Sequence, residues 1–178
     1  MATGRSNQIT KQIGEYLVAA ELGRIDLIAA TFSGSVPDYD IIATDSRFRS
    51  VPVQVKTVNG TSWQFDIRRF VEVRLDGKKQ IIGRPVAFTD NIVCVMVALS
   101  RYGKDRFYVL SLKTLQEVLI KHHQNYLEKH DGVRPKKFDS FHIAIKEHEL
   151  ALFKDGWISE FRDKRGLRVP DLRASYEG

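Results

Sequence analysis

The spacing of apolar residues predicts a helix at the start of the chain. Residues 7–24 repeat apolar side chains at intervals of three and four, which is typical of an amphipathic helix. A second apolar stripe, Val18 and Leu22, lies in line with Glu15. This alignment indicates that Glu15 faces other parts of the protein rather than open solvent. The main apolar face is predicted to carry Ile9, Ile13, Tyr16, Leu17 and Ala20.

A β-hairpin is predicted after this helix, because two short apolar runs flank a charged turn. Strand residues two apart share a face, so Gln54 and Lys56 point in the same direction. A turn centred within the charged segment places Asp40 across from them, which gathers three polar side chains on one face. Lys and Asp are rarely buried without a partner, so this grouping indicates either an ordinary solvated edge or a chemical site. The strand, turn and returning strand are residues 39–44, 45–50 and 51–57.

The remainder of the chain continues this alternation and predicts one α/β domain with a mixed sheet. The Asp76-Gly77 pair is a turn signal inside a second hairpin, and the very apolar residues 91–100 predict a central strand. The domain is predicted to span residues 1–161, followed by an arginine-rich, mobile tail at residues 162–178. Other strands are predicted at 61–67, 105–112 and 140–145, and helices at 111–129 and 146–161.

The composition is that of a globular protein with an excess of positive charge. The 178 residues include 28 Lys and Arg against 22 Asp and Glu, giving a net charge of +6, which favours a polyanionic partner. Cys94 is the only cysteine, so no internal disulfide can form, and its apolar surroundings predict an inert core thiol. No signal peptide and no apolar run of roughly 20 residues is present. We therefore expect a cytoplasmic location.

The hairpin and the helix before it resemble the motif of the PD-(D/E)XK nuclease superfamily. The matching residues are Pro37-Asp38-Tyr39-Asp40 and Gln54-Val55-Lys56, preceded by the helical segment GEYLVAAEL that carries Glu15. That helix is similar to the one before the motif in archaeal Holliday-junction resolvases. The resemblance covers about residues 10–60. It implies a restriction-endonuclease-like fold, in which a mixed β-sheet is flanked by helices.

The resemblance also implies a metal site. Asp40, the Gln54 side-chain oxygen, the Val55 carbonyl and Glu15 would hold Mg²⁺ or Mn²⁺, and Lys56 would orient or help deprotonate a water. Asp40 is favoured as the motif aspartate because it directly precedes the apolar run. Asp38 is the literal match to the PD of the motif, and it remains an alternative. Gln54 departs from the usual Glu or Asp, but some homing endonucleases of the superfamily also carry glutamine there.

The implied substrate is DNA, either duplex or branched. Cleavage of both strands needs two sites, so we expect a homodimer or a higher homo-oligomer, with the hairpin around Asp76-Gly77 as a dimerisation element. Basic pairs would contact phosphates, although such pairs also occur on ordinary solvated faces. The basic residues predicted to bind nucleic acid are Arg68, Arg69, Lys78, Lys79, Lys136 and Lys137.

Two other functions remain open from the sequence. The neutral Gln54 fits a catalytically weak or inactive nucleic-acid-binding protein on the same fold. A chance match to the motif would leave an α/β domain that scaffolds a protein complex. The adjacent His122 and His123 do not indicate a metal site, because neighbouring residues of a helix do not converge on one ion.

Overall fold

The chain begins with helix α1 (Gly4–Arg24) and continues mainly as strands. The structure is a computed structural model that describes residues 4–32, 38–88 and 91–170. Helix α2 (Leu112–Glu128) separates the last strand from the others. Among the described residues, no helix is long and apolar enough to cross a membrane. The strands are β1 (Ile28–Thr31), β2 (Ile41–Thr44), β3 (Ser50–Asn59), β4 (Ser62–Asp66), β5 (Val71–Asp76), β6 (Lys79–Pro85), β7 (Val93–Leu99), β8 (Arg106–Ser111) and β9 (His142–Lys146).

The main sheet is mixed, with strand order β1-β2-β3-β7-β8. Its β3–β7 pair is parallel and the other neighbours are antiparallel. The predicted first hairpin is confirmed as β2 and β3, with Ile41 opposite Val53. The first six residues of β7 are buried, as expected of a strand with neighbours on both sides. The predicted α/β fold, with a mixed sheet flanked by helices, is confirmed.

The two faces of this sheet support separate apolar layers because alternate strand residues point to opposite sides. Val53 and Val55 of β3 pack with α1. Cys94 and Met96 of β7 pack with α2 on the other side. Lys56, being one residue after Val55, belongs to the side that α2 covers. The polar residues of β3 are therefore carried on a strand whose reverse face is fixed by core packing.

Helix α1 packs through its narrower stripe rather than through its larger apolar face. Val18 and Leu22 are fully buried, whereas Ile9, Ile13 and Tyr16 remain exposed. The prediction for the main face is therefore wrong, and the second stripe, in line with Glu15, forms the contact. The physical reason lies at Gly14, whose missing side chain lets the helix come close to β3.

The remaining strands form two small sheets beside the main one. The predicted second hairpin is confirmed as β5 and β6, with Gly77 in the left-handed conformation that its tight turn needs (φ 57°). Strand β4, predicted at 61–67, lies outside the main sheet and pairs with β9. The sheets pack on the α2 side, where they build the walls around the polar face of β3.

The prediction of a single helix after β9 is wrong. It forms a 3-10 turn at Glu147–Phe153 and a short π-helical turn at Ser159–Asp163. Between them, Asp155 has a positive φ of 52° and Gly156 follows, a combination that interrupts a helix. The apolar residues of the segment consequently divide between the two core layers.

The predicted mobile tail is ordered over residues 162–170. Leu167 and Val169 are buried in the core layer that contains α1. The Arg168 N–H donates to the buried Asp45 carboxylate at 2.8 Å, and Arg49 donates to the same oxygen. Burial raises the pKa of Asp45, but these hydrogen bonds outweigh it and leave the pKa well below its usual value. Residues 171–178 lie outside the described residues.

Candidate active site

The polar face of β3 opens into a cleft of about 520 Å³. Gln54 and Lys56 both line it, as the two-residue period of a strand requires. Asp38 lines it from the loop before β2, and Arg69 lines it from the short 3-10 turn before β5. The apolar walls come from residues on either side of the β5–β6 hairpin, namely Phe70, Ala87 and Phe88, together with Phe65, Ile92 and Leu112.

Asp40 lies directly before β2 and turns its carboxylate towards β3. Its N–H donates to the Val53 carbonyl at 2.9 Å, which extends the hairpin by one residue. Its Oδ2 accepts a hydrogen bond from the Val55 N–H at 2.8 Å. The carboxylate is thus held by the backbone of the strand that carries Gln54 and Lys56. The predicted Pro37 of the motif lies outside the described residues.

Glu15 and Asp40 converge on the ammonium group of Lys11. The Lys11 Nζ lies 3.3 Å from Glu15 Oε1 and 3.0 Å from Asp40 Oδ1. Burial raises the pKa of Glu15, Lys11 opposes that rise, and the neighbouring Asp40 adds to it. The hydrogen bond to Asp40 is the main cause that raises the pKa of Lys11. Two carboxylates from different elements therefore share one cationic centre.

Sequence reasoning missed Lys11, although its position gave a signal. It lies one helical turn before Glu15, the spacing at which an ammonium and a carboxylate meet on a helix surface. Its second contact, to Asp40, depends on the approach of α1 to the hairpin and could not be inferred from spacing.

The approach of α1 to β3 depends on Gly14, the residue before Glu15. A Cβ built on Gly14 would lie 1.8 Å from the Thr57 Oγ1, so no larger residue fits without movement of the helix. Thr57 directly follows Lys56 on β3. This contact sets the distance between the helix that carries Glu15 and the strand that carries Lys56.

We predict that Gly14→Ala lowers any catalytic activity of this site by about a hundredfold, because a displacement of about 1 Å can have that effect on catalysis. Overpacking of this contact should also lower the free energy of unfolding by about 1–3 kcal/mol. Activity measured below the unfolding transition and thermal unfolding report the two effects. Gly23→Ala is the matched control, since its Cβ would meet nothing within 4 Å. Wild-type behaviour of both variants would contradict this role of Gly14.

The side chain of Gln54 is held between Asp38 and Cys94. Its Nε2 donates to the Asp38 carbonyl at 3.1 Å, and its Oε1 lies 4.0 Å from the Cys94 Sγ. Asp38 adopts a positive φ of 74° and supplies its backbone oxygen to this contact. Asp40, rather than Asp38, reaches the Val55 N–H and the cationic centre near Glu15. Of the two aspartates, Asp40 is therefore the one that meets Glu15 and β3 through its carboxylate.

The Lys56 side chain is half-buried in the cleft, and its ammonium has no salt bridge within the described part of the chain. Its backbone carbonyl accepts a hydrogen bond from the Trp63 Nε1 at 2.9 Å. Trp63 itself is only 2% exposed, so its role is core packing, and it is not placed to stack on a base. The strand is thus fixed around Lys56 while the ammonium stays free to act on a bound group.

The predicted nucleic-acid-binding residues are divided between the cleft and the outer surface. Arg69 lines the cleft. Arg68 is engaged by Asp66 at 2.6 Å and its guanidinium lies over the Phe141 ring at 4.5 Å. The other predicted residues are exposed, at the turn of the β5–β6 hairpin and in the loop before β9, and they are Lys78, Lys79, Lys136 and Lys137.

The histidines and Cys94 are occupied elsewhere. His123 is buried with its Nε2 3.0 Å from Gln80 Oε1, and burial lowers its pKa to about 4. His122 pairs with Glu149 at 2.6 Å. Burial raises the pKa of the Cys94 thiol to about 12, which keeps it protonated and unreactive. These side chains act in packing and hydrogen bonding.

Comparison with known proteins concerns the fold. No protein-family model and no curated protein matches the sequence. Among solved structures, the bacterial homing endonuclease I-Ssp6803I matches with a TM-score of 0.50 and 12% identity. The match covers 90% of this chain and 96% of that one. The chain has a similar fold. At this identity the likeness extends to the fold alone.

The residues of the site fit a hard divalent cation. Glu15 and Asp40 already place one oxygen each around a single positive group, the ammonium of Lys11. Carboxylate oxygens are the ligands that Mg²⁺ prefers, and it usually keeps several waters. Within residues 4–32, 38–88 and 91–170, no group of three His, Cys, Asp or Glu side chains could hold a metal. Other ligands would therefore be amide or backbone oxygens and water.

Proposed function

We propose that this protein is a metal-dependent endonuclease of the PD-(D/E)XK type that hydrolyses DNA phosphodiester bonds. The observation that supports it best is the convergence of Glu15 and Asp40 on one cationic centre, beside the strand that presents Lys56 to the cleft. The similar fold belongs to a protein described as a bacterial homing endonuclease.

The metal would be held by Asp40 and Glu15, with the Gln54 side-chain oxygen and the Val55 carbonyl as further ligands. When bound, Mg²⁺ or Mn²⁺ supplies a water of lowered pKa and neutralises charge on the phosphate. Lys11 would have to leave its position between the two carboxylates when the metal binds, and its exposed side chain has room to move. Val55 keeps Asp40 in place through its N–H.

Lys56 orients the attacking water and offsets negative charge at the scissile phosphate. The water oxygen would form the new bond to phosphorus as the P–O ester bond breaks, and the proton that the water loses would end on the leaving oxygen. Lys56 is half-buried in the cleft, which strengthens this interaction because fewer waters screen it than at an open surface. Arg69, which also lines the cleft, adds positive charge next to the DNA strand that is cut.

Cleavage of supercoiled plasmid and of branched DNA tests the proposal. We expect nicked or linear product with Mg²⁺ or Mn²⁺, and none with EDTA. Salt-sensitive binding to the same DNA is expected from the net charge of +6. A wild-type protein that leaves every form of DNA intact in the presence of metal would contradict the proposal.

Gln54→Glu should keep or raise the activity and tighten metal binding. A carboxylate offers a charged oxygen where the amide offers a neutral one, so a hard cation gains a better ligand. Calorimetric titration with Mn²⁺ and the cleavage rate at limiting metal measure the effect. Gln64→Glu is the control, because Gln64 lines the same cleft from β4 and adds the same charge. Loss of metal binding in Gln54→Glu alone would contradict a ligand role for residue 54.

The side chains of Lys11 and Gln54 favour a second function. Lys11 already neutralises Glu15 and Asp40, and Gln54 brings no charge. A protein with these features could bind nucleic acid on this fold without cutting it. Salt-sensitive DNA binding without cleavage at any metal concentration would select this function over the nuclease.

Self-association of this chain into a dimer or higher oligomer remains a prediction. Cleavage of both strands of a duplex needs two sites, and a symmetric pair provides them. The β5–β6 hairpin presents the exposed Leu75 near its turn and is the expected contact between copies. Light scattering at micromolar concentration should give at least twice the chain mass, and a monomer would refute this prediction.

A further inference from the structure

A second basic cavity lies close to the cleft and is not used by the proposed chemistry. It has a volume of about 430 Å³ and is formed by the start of β3, Asn91 and residues 164–167. Its polar lining consists of Arg49, Ser50, Asn91, Lys164 and Arg165. Carboxylates are absent from this lining, so the cavity presents three cationic side chains and two neutral hydrogen-bonding groups.

The carboxylates that pair with these cations lie behind them. Asp45 and Glu160 have side chains that are 0% and 2% exposed, whereas Arg49 and Lys164 are 43% and 50% exposed. Three cations facing two buried carboxylates leave one positive charge in excess. The negative groups are covered by protein and the positive groups face the cavity, so an anion meets an attractive surface.

Arg165, which lines this cavity, carries a hydrogen-bond donor without a partner among the described residues. Its side chain is 9% exposed, and its Nη1 donates to Glu160 Oε2 at 2.6 Å. Its Nε is buried and has no hydrogen-bond partner among the described residues. A buried donor without an acceptor is costly and rare in proteins. A tetrahedral oxyanion in the cavity offers acceptor oxygens to the cations that line it.

The cavity and the cleft adjoin each other through Asn91 and Ile92. Asn91 lines the cavity, Ile92 lines the cleft, and the Ile92 carbonyl accepts a hydrogen bond from Arg165. Ser50 is on the same face of β3 as Gln54, about 13 Å away at the usual rise per strand residue. One extended nucleic-acid strand can therefore reach both places.

We propose that the cavity formed by Arg49, Ser50, Asn91, Lys164 and Arg165 binds a backbone phosphate of the DNA strand whose scissile phosphate lies at Lys56. This inference rests on the proposed function and adds a positioning contact to it. The cavity fixes the register of the strand and takes no part in bond cleavage, as phosphate contacts in general do.

Two substitutions test the cavity without removing a partner from Asp45 and without leaving Glu160 unpaired. Lys164→Ala leaves Arg165 on Glu160, and Asn91→Asp adds a negative charge at an exposed position. Loss of one phosphate contact should weaken duplex binding about eightfold at 0.1 M salt and lower the salt slope by about 0.9. Asn91→Asp should weaken binding at least as much. Fluorescence anisotropy with a labelled duplex, measured with EDTA, gives both quantities.

Lys104→Ala and Asn125→Asp are the matched controls. Lys104 is exposed in the β7–β8 turn, at the opposite end of β7 from Asn91, and Asn125 is exposed on α2. Each control makes the same change of charge as its test variant, and both should bind within about twofold of wild type. Thermal unfolding of all four variants shows whether a loss of binding reflects unfolding.

The possible outcomes separate this inference from the proposed function. If wild type binds DNA and both cavity variants match their controls in affinity and salt slope, the cavity assignment fails and the nuclease proposal stands. If wild type binds no DNA, both fail. In that case, calorimetric titration with inorganic phosphate shows whether the cavity binds phosphate that does not belong to DNA. Binding by wild type that Asn91→Asp abolishes would place this phosphate in the cavity.

Discussion

Lys56→Ala is expected to lower metal-dependent DNA cleavage by at least about a hundredfold. The ammonium is the cationic group that β3 presents to the cleft, and the removal of one such stabilising group typically costs 10²–10³ in rate. Lys56 is not a metal ligand, so metal affinity should stay unchanged. DNA affinity should change little, because phosphate contacts are spread over many basic residues. Single-turnover cleavage with saturating Mg²⁺ measures the effect.

Lys104→Ala is the control for the loss of one positive charge, and it should cut at the wild-type rate. The fold should tolerate Lys56→Ala, because no salt bridge to Lys56 exists among the described residues and no partner is left unpaired. Wild-type cleavage by Lys56→Ala would place the chemistry elsewhere and remove the main role assigned to β3.

Asp40→Ala is expected to abolish cleavage and to weaken metal binding by at least tenfold. Its carboxylate joins the α1 side of the site to the Val55 N–H, and no neighbouring carboxylate can take over both contacts. Asp40→Asn removes the negative charge but keeps the shape of the side chain, because its amide oxygen can still accept the hydrogen bond from the Val55 N–H. We expect it to stay folded and to be almost as inactive. Mn²⁺ calorimetry and cleavage assays measure the two losses.

Asp26→Asn serves as the matched control for Asp40→Asn. Asp26 is exposed in the turn after α1 and has a positive φ of 58°, a conformation that asparagine also accepts. It should bind metal and cut DNA as wild type does. Equal metal affinity in Asp40→Asn, Asp26→Asn and wild type would show that the metal does not depend on Asp40.

The sequence predicted the hairpin and the grouping on β3 because both follow from local rules. A charged turn between apolar runs specifies a hairpin, and the two-residue period then places Gln54 and Lys56 together. The register brought Asp40 to the same place, and the observed Ile41–Val53 pairing agrees with it. Each of these inferences used residues that are neighbours in the chain or on paired strands.

Contacts between distant segments could not be predicted in this way. The orientation of α1 depends on the fit of Gly14 against Thr57, and the larger apolar residues on its other side misled the periodicity argument. The ordered segment before residue 170 has no periodic pattern. It is fixed by a hydrogen bond from the backbone N–H of Arg168 to the side-chain carboxylate of Asp45, which lies 123 residues earlier. Both features depend on packing that a single sequence does not show.

The position of Mn²⁺ in crystals of the wild-type protein with DNA that carries a non-hydrolysable linkage tests the central claim most directly, since anomalous scattering locates the ion independently of the protein coordinates. The account predicts a peak at about 2.0–2.3 Å from carboxylate oxygens of Asp40 and Glu15, with Lys11 displaced and a DNA phosphate next to Lys56. Mn²⁺ bound elsewhere, or Lys11 still joined to both carboxylates with DNA in place, would contradict it.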